Sequence, residues 1–358
     1  VYYNDIEKQG NNILTNKIKI IYLDAAASAL KPRAVIDSQL DFLQNHYANA
    51  GRGVCERSNY VDKMVSLARE SVAGFIGADS SDQIIFTSGA TDGLNRLANM
   101  LPPDSLVAVS DLDHHSARLP FEARHKTVLC ELDNEFNYKS VPNCDAVVLT
   151  AMSNVLGTPQ EIIKDDKKTV IVDASQLVVH KQIDVKKMGV DALVFSGHKI
   201  GADTGLGILY LKEPEKWKTD KFGGGQFMAT GPAMFEAGTL PLTQIVGLSA
   251  AINEITHNRE KTYQKIEFLR KELSKISKIK FISPKDSTLL TFEVDGMHAL
   301  DFGMLMGAHG VCLRVGNMCA SWLHKRLGVD STVRISAGSW NTMTEMQQTV
   351  DIIKKVIK

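Results

Sequence analysis

Lys199 stands in a setting that an ordinary surface lysine rarely has. It falls within ALVFSGHKIGADTGLGILYL, residues 192–211, between a short apolar run and a glycine-rich turn. Lysine heads are normally left in water, and burying one lowers its pKa toward the neutral, nucleophilic amine. Other reactive groups also follow apolar runs. FTSGATDGLN places Gly89, Ala90 and Thr91 at the opening of a helix, where free backbone N–H groups seat phosphate. IVDASQ ends a run with Asp173, and Gln176 follows three residues later. DLDHHSARLP puts His114 and His115 just past LVAVS, and Ser196 and His198 lie beside Lys199 in FSGHK. Open parallel sheets bind ligands at the carboxyl ends of their strands, so these groups belong to one pocket.

The parts suit pyridoxal phosphate (PLP), which needs an amine for its aldehyde, an acid at its pyridine nitrogen and donors for its phosphate. Lys199 supplies the amine and Asp173 the acid. Ser196, His198 and Thr91 serve the phosphate, and His114 stacks on the ring. A carboxylate at the ring nitrogen keeps it protonated, so the ring can accept electrons from a substrate Cα.

The elements that must position these groups are visible as patterns. QIIFTS, SLVAVSD, KTVLCEL, AVVLTAMS, TVIVDAS, ALVFSG and GILYLK are apolar at nearly every position, as strands covered on both faces are. Helical stretches alternate with them. In DKMVSLARESVAGFIGA, Met64, Leu67, Ala68, Val72 and Phe75 trace one face. The alternation predicts an α/β protein with a mainly parallel sheet. After about residue 245 the texture changes to a long helix from about Ile245 to Ile276, then TLLTFEV, HALDFGMLMGAHG, VCLRVG, STVRISA and a final amphipathic helix. We therefore expect a large cofactor-binding domain over residues 1–245 and a small α+β domain over 246–358. The first ~20 residues should pack with the small domain.

Bulk properties set the class. The chain has 358 residues, with 41 Lys+Arg against 41 Asp+Glu, a balance that gives no ground for a nucleic-acid or anionic-membrane partner. Its five cysteines (Cys55, Cys130, Cys144, Cys312 and Cys319) are scattered with no C-x-x-C pair. That pattern disfavours a disulfide framework or a zinc site and suits a reducing, cytoplasmic setting. VYYNDIEKQGNNILTNK is polar and lacks the apolar core of a secretory signal.

The order YLDAAASALKP, RG, SGATDGLN, DHHSARLPF, SNVLGT, VDASQ, FSGHK, GLGILY, GGG and FEAGT resembles the class V aminotransferase family of fold type I PLP enzymes. The likeness is strongest to Suf-type, NifS-like cysteine desulfurases and selenocysteine lyases, and runs from about Ile21 to the C-terminus. It implies a large domain with a mostly parallel seven-stranded sheet. It also implies that Lys199 bonds the cofactor and that Asp173 pairs with the ring nitrogen. Asn154 and Gln176 would touch the phenolic oxygen, and His114 would stack on the ring. Ala90, Thr91, Ser196 and His198 would hold the phosphate. Gly238 and Thr239 of FEAGT would reach it from a neighbouring subunit, which implies a homodimer.

CLRVGNMCASW chooses among reactions. Arg314, Gly316, Cys319 and Ala320 match a desulfurase pattern in which the cysteine attacks sulfur, and Arg334 in TVRISAGSWNT matches a clamp for the substrate carboxylate. Arg suits that task because its planar fork makes two parallel hydrogen bonds. The implied reaction turns L-cysteine (or selenocysteine) into L-alanine and leaves a persulfide on Cys319 for a sulfur-acceptor protein. Arg314 would favour the thiolate, and His115 would shuttle protons. The remaining cysteines read as small buried apolar residues. Sulfur supply for iron–sulfur cluster assembly, tRNA thiolation and selenium recycling all stay open. Two departures stand out. Asn317 and Met318 occupy positions where relatives often carry histidines, and the segment from Phe227 to Met234 is short. A diverged lyase or aminotransferase is the alternative.

Overall fold

The computed structural model describes residues 20–51 and 53–358, apart from the side chains of residues 256–261. The expectation for the first ~20 residues lies almost wholly outside that range. All seven apolar runs are strands of one sheet. Its order is Ile84–Thr87, Gly207–Leu211, Ala192–Ser196, Thr169–Asp173, Ala146–Thr150, Leu106–Val109 and Lys126–Leu129. Gly207–Leu211 runs antiparallel to both of its neighbours, and the other pairings are parallel. The three strands Ala146–Thr150, Ala192–Ser196 and Gly207–Leu211 are buried at every position. Their Val, Ile, Leu and Phe content is what a sheet covered on both faces requires. Lys126–Leu129 departs from this reading. It is an edge strand, partly or fully exposed along its length, whereas the opposite edge strand Ile84–Thr87 is covered and buried at every position.

Helices enclose the sheet. Glu56–Ile76 buries Val61, Val65, Ala68, Val72, Phe75 and Ile76 against it, while Leu67, expected on that face, is exposed. Leu67 sits about 100° round the helix from Ala68, outside the arc shared by Val61, Val65, Ala68 and Val72.

A second sheet of four antiparallel strands has the order Ile279–Phe281, Leu290–Val294, Thr332–Ile335, Arg314–Gly316. Helices Ala299–Ala308 and Met343–Val356 contribute to the core beside it, around Phe292, Phe302, Val350 and Ile353. One 32-residue helix, Leu242–Leu273, serves both layers. Leu242, Ile245 and Leu248 join the core around the large sheet, and Ile266, Leu269 and Leu273 join the other. The backbone is therefore continuous through 245/246, where the sequence suggested a division. The strand Ile21–Tyr22 pairs in parallel with Val311–Cys312, which ties the early chain to the second sheet.

Phe195 is fully enclosed in the sheet and meets Phe75 edge-on, with ring centroids 6.2 Å apart. Phe195→Ala should cost about 3–5 kcal/mol through lost transfer energy and the cavity left behind. Urea denaturation measures it, and a loss below about 1 kcal/mol would show that neighbours collapse freely into the gap.

Candidate active site

The parallel strands deliver their carboxyl ends to one side, and the sequence-predicted groups gather there around a cavity of about 340 Å³. The loop after Ile84–Thr87 brings Ala90 and Thr91, and the one after Leu106–Val109 brings His114. Asn154 follows Ala146–Thr150, while Asp173 and Gln176 close Thr169–Asp173. Ser196, His198 and Lys199 leave Ala192–Ser196 through a short 3-10 turn. Arg314, Cys319 and Arg334 enter from the second sheet. A wider cleft of about 540 Å³ opens at the opposite strand ends, but its Asp145 and Asp191 carboxylates are engaged by the N–H groups of Leu106 and Val170. The reactive set is in the smaller cavity.

Lys199 is partly accessible, through the cavity it lines. Burial pushes its amine below the ordinary lysine range. The Asp173 carboxylate opposes that fall and the Arg334 charge adds to it. Asp173 is buried and accepts from the Ser175 N–H at 2.9 Å. His114 and His198 are both held down to about 4, first by burial and then by Lys199, so each is neutral near pH 7. His114 also caps its helix, its Nδ1 accepting from the Ser116 N–H at 3.2 Å.

Arg334 is 2 % exposed. Its Nη1 donates to the Asn154 carbonyl at 2.9 Å, and its Nη2 donates to Asp24 Oδ1 at 3.0 Å. Arg314 reaches the other oxygen of the same carboxylate at 2.7 Å. Asp24 thus braces both candidate substrate-binding arginines. Sequence reasoning gave it no role, because its partner Arg334 lies 310 residues further along the chain.

Several placements differ from expectation. The Ala90 N–H donates to Ser196 Oγ at 2.9 Å, so the two proposed phosphate groups also bond each other. Gln176 Nε2 is held by the Ala26 carbonyl at 2.8 Å and Asn154 Nδ2 by the Met318 carbonyl at 2.8 Å. His115 does not line the cavity; its Nε2 lies 2.9 Å from Ser321 Oγ. Gly238 and Thr239 lie in a separate cleft with Ala50, Arg69 and Glu236. Cys130 and Cys144 are buried as expected of structural cysteines, but Cys312 is half-buried and Cys55 is exposed at the start of Glu56–Ile76. Cys55 precedes a long amphipathic helix that turns its first residues to the surface. Ala26, Ser116 and Ser175 also line the cavity and were not foreseen.

The cavity suits PLP on its own chemistry. Three residues that line it, Ser175, Gln176 and Arg334, each keep one buried polar atom (Oγ, Oε1 and Nε) without a protein partner. Gly207 lets the strand pass behind the Gly89–Ala90 turn: a Cβ there would lie 2.4 Å from Gly89 Cα. Gly89 itself has φ 157°, just before helix Ala90–Met100, whose N-terminus is the positive end of its dipole. Among the described residues no three His, Cys, Asp or Glu side chains are grouped to hold a metal.

Comparison with known proteins agrees with this geometry. Residues 21–349 match the aminotransferase class-V family, and the chain belongs to it. The cysteine desulfurase of Serratia proteamaculans is 31% identical, over 95% of this chain and 94% of its own length. A probable cysteine desulfurase of Vibrio cholerae is also 31% identical, over 96% and 95%. Among solved structures, the apo cysteine desulfurase of Thermococcus onnurineus NA1 superposes with a TM-score of 0.89 at 26% identity, covering 94% of both chains. The cysteine desulfurase CsdA of Escherichia coli, in an S-sulfonic acid form, gives 0.86 at 27% identity, also over 94% of both chains.

Asp113, next to His114, is fully buried. Burial pushes its carboxyl from 3.8 up to about 8, against hydrogen bonds from the Ser110 N–H and the Thr150 hydroxyl. The folded protein keeps this proton after the unfolded chain has lost it, so Asp113 lowers stability as pH rises from about 4 to about 8. Asp113→Asn has no proton to lose. Paired urea titrations should find the stability difference moving in the variant's favour across that window; a pH-independent difference would contradict the burial argument.

Proposed function

We propose that this protein is a PLP-dependent cysteine desulfurase that converts L-cysteine to L-alanine and takes the sulfur onto Cys319 as a persulfide. The observation that carries the reading is one cavity bordered by Lys199, Asp173, the Arg314–Arg334 pair and the exposed Cys319. The named relatives support the same activity.

Lys199 and Asp173 would hold the cofactor at its aldehyde carbon and ring nitrogen, with His114 on the ring face. Asn154 and Gln176 would serve its phenolic oxygen, and Thr91, Ser196 and His198 would serve its phosphate. Bound PLP supplies an electron-withdrawing ring that takes up the electron pair released at the substrate Cα. The chain's own groups do the rest. Arg334, already fixed by Asp24 and Asn154, grips the substrate carboxylate with Arg314. Lys199, poised as an amine by its burial, takes the Cα proton. The Cys319 thiolate attacks the substrate sulfur. Its electron pair forms the S–S bond while the Cβ–Sγ pair stays with carbon, which gains a proton and leaves as alanine. The persulfide then passes to an acceptor protein.

The active assembly is a homodimer in this reading. Gly238 and Thr239 do not reach their own chain's cavity, and the exposed apolar side chains Leu43, Tyr47, Phe222 and Phe227 supply surface for a second copy. A reducing cytoplasm suits the free cysteines. No described helix is long and apolar enough to cross a membrane.

Wild-type protein supplied with PLP, L-cysteine and a reductant should release alanine and sulfide. Cys319→Ala should stop both while retaining the bound chromophore. Pyruvate in place of alanine would mark a C–S lyase, and an unaffected Cys319→Ala variant would make that cysteine structural. Arg334→Lys loses the fork and should cost about 1.5–3 kcal/mol of substrate binding, read as a rise of about 10- to 150-fold in KM. Sedimentation should give twice the chain mass; a monomer with full activity would overturn the dimer.

A further inference from the structure

The loop that carries Cys319 is closed on itself by a ring of hydrogen bonds. Strand Arg314–Gly316 ends in Asn317-Met318-Cys319-Ala320, where Met318 and Cys319 have φ of 51° and 55° and the Ala320 N–H returns to the Asn317 carbonyl at 2.9 Å. Positive φ at both central residues is the pattern of a type I′ turn, which glycine and asparagine normally fill. Two residues with full side chains adopt it only where the surroundings over-determine the shape.

The surroundings do so. The Cys319 N–H donates to Asn317 Oδ1 at 3.2 Å, and Asn317 Nδ2 donates to Ser321 Oγ at 3.2 Å. Ser321 Oγ lies 2.9 Å from His115 Nε2, and the Ser321 N–H also points at that nitrogen at 3.4 Å. The backbone N–H of His115 completes the circuit by donating to the Cys319 carbonyl at 2.7 Å. Donor and acceptor roles are consistent all the way round when His115 carries its proton on Nδ1 and Ser321 donates to Nε2. Below the ring, the Met318 side chain is 8 % exposed in an apolar cluster with Leu112, Leu156 and Leu323, and its carbonyl accepts from Asn154. Both peptide groups of Cys319 are thus held, while the residue as a whole stays exposed at the cavity wall.

We propose that Asn317, Ser321 and His115 are positioning residues for the sulfur-transfer step, fixing the main chain of Cys319 so that its thiol is presented to the substrate sulfur without a search. The inference rests on the desulfurase reading and deepens it. It also gives the departure from histidine at residues 317 and 318 a purpose: Asn317 offers an acceptor and a donor in one planar group, and Met318 an apolar anchor. In the transfer itself, the thiolate plus L-cysteine and one proton give the persulfide plus L-alanine. The ring residues hold the backbone and exchange no proton with the reacting atoms.

Asn317→Ala and Ser321→Ala test this in PLP-loaded protein, with three readouts. Single-turnover persulfide formation on Cys319 should slow by about 10- to 100-fold, the scale at which small misplacement of a reacting group is felt. Exchange of the L-alanine Cα hydrogen with solvent deuterium, which uses Lys199 and no thiol, should stay within about twofold of wild type. Amide hydrogen exchange at residues 318–320, measured without substrate, should accelerate in both variants as the ring opens. Unchanged persulfide formation, or unchanged amide protection, would overturn the positioning role. A parallel fall in Cα exchange and persulfide formation would also overturn it, by placing the effect in the cofactor pocket. Absence of Cα exchange in the wild type would instead defeat the PLP reading on which the inference rests.

Discussion

A guanidinium enclosed by protein needs an anion, because it cannot shed its proton, and Arg334 finds one in Asp24. That requirement organises much of the molecule. Asp24 lies two residues past the strand Ile21–Tyr22, which pairs with Val311–Cys312. The next residues then run beside the second sheet. The Ala25 N–H donates to the Ser336 carbonyl at 3.1 Å and the Ala26 N–H to Ser336 Oγ at 2.9 Å. Still further on, the Ala26 carbonyl holds Gln176 and the Ala29 N–H meets the His198 carbonyl. One short segment therefore joins the arginine-bearing sheet to the strand ends that present Asp173 and Lys199. Removing the Asp24 carboxylate would leave an uncompensated buried charge at the seam between the two sheets.

The charge balance of the cavity follows from the same constraint. Two guanidiniums share Asp24, while Asp173 faces the Lys199 amine. Burial keeps His114 and His198 uncharged, so neither histidine adds repulsion near the amine. The cationic excess on the arginine side is what an incoming carboxylate requires. On the other side lies the positive end of the helix that starts at Ala90.

The exposed thiol poses the opposite problem. Cys319 is exposed, so packing of its own side chain cannot fix it. The neighbours do the fixing. Met318 and Ala320, on either side, are buried, and the peptide groups of Cys319 are hydrogen-bonded. Alternating buried and exposed residues across a turn lets a rigid backbone carry a free nucleophile.

The sequence by itself determined the strands and most of the cavity. Each buried strand is a continuous apolar run, and the group after it must lie at a carboxyl end, so Ala90, Asp173 and Lys199 could be placed together from order alone. The matches in CLRVGNMCASW and TVRISAGSWNT likewise marked Cys319 and Arg334 from local pattern. Tertiary structure alone decided what pairs across long separations. Asp24 and Arg334 are 310 residues apart, and nothing in either stretch announces the other. The resemblance implied a proton shuttle at His115; one step along the chain from His114, it lies outside the cavity lining with its Nε2 beside Ser321. The edge position of Lys126–Leu129 and the surface position of Leu67 were equally invisible, since periodicity records which residues are apolar and not which neighbour covers them. Local pattern fixes what a segment can become, whereas long-range charge pairing and coverage depend on which segments the completed fold brings together.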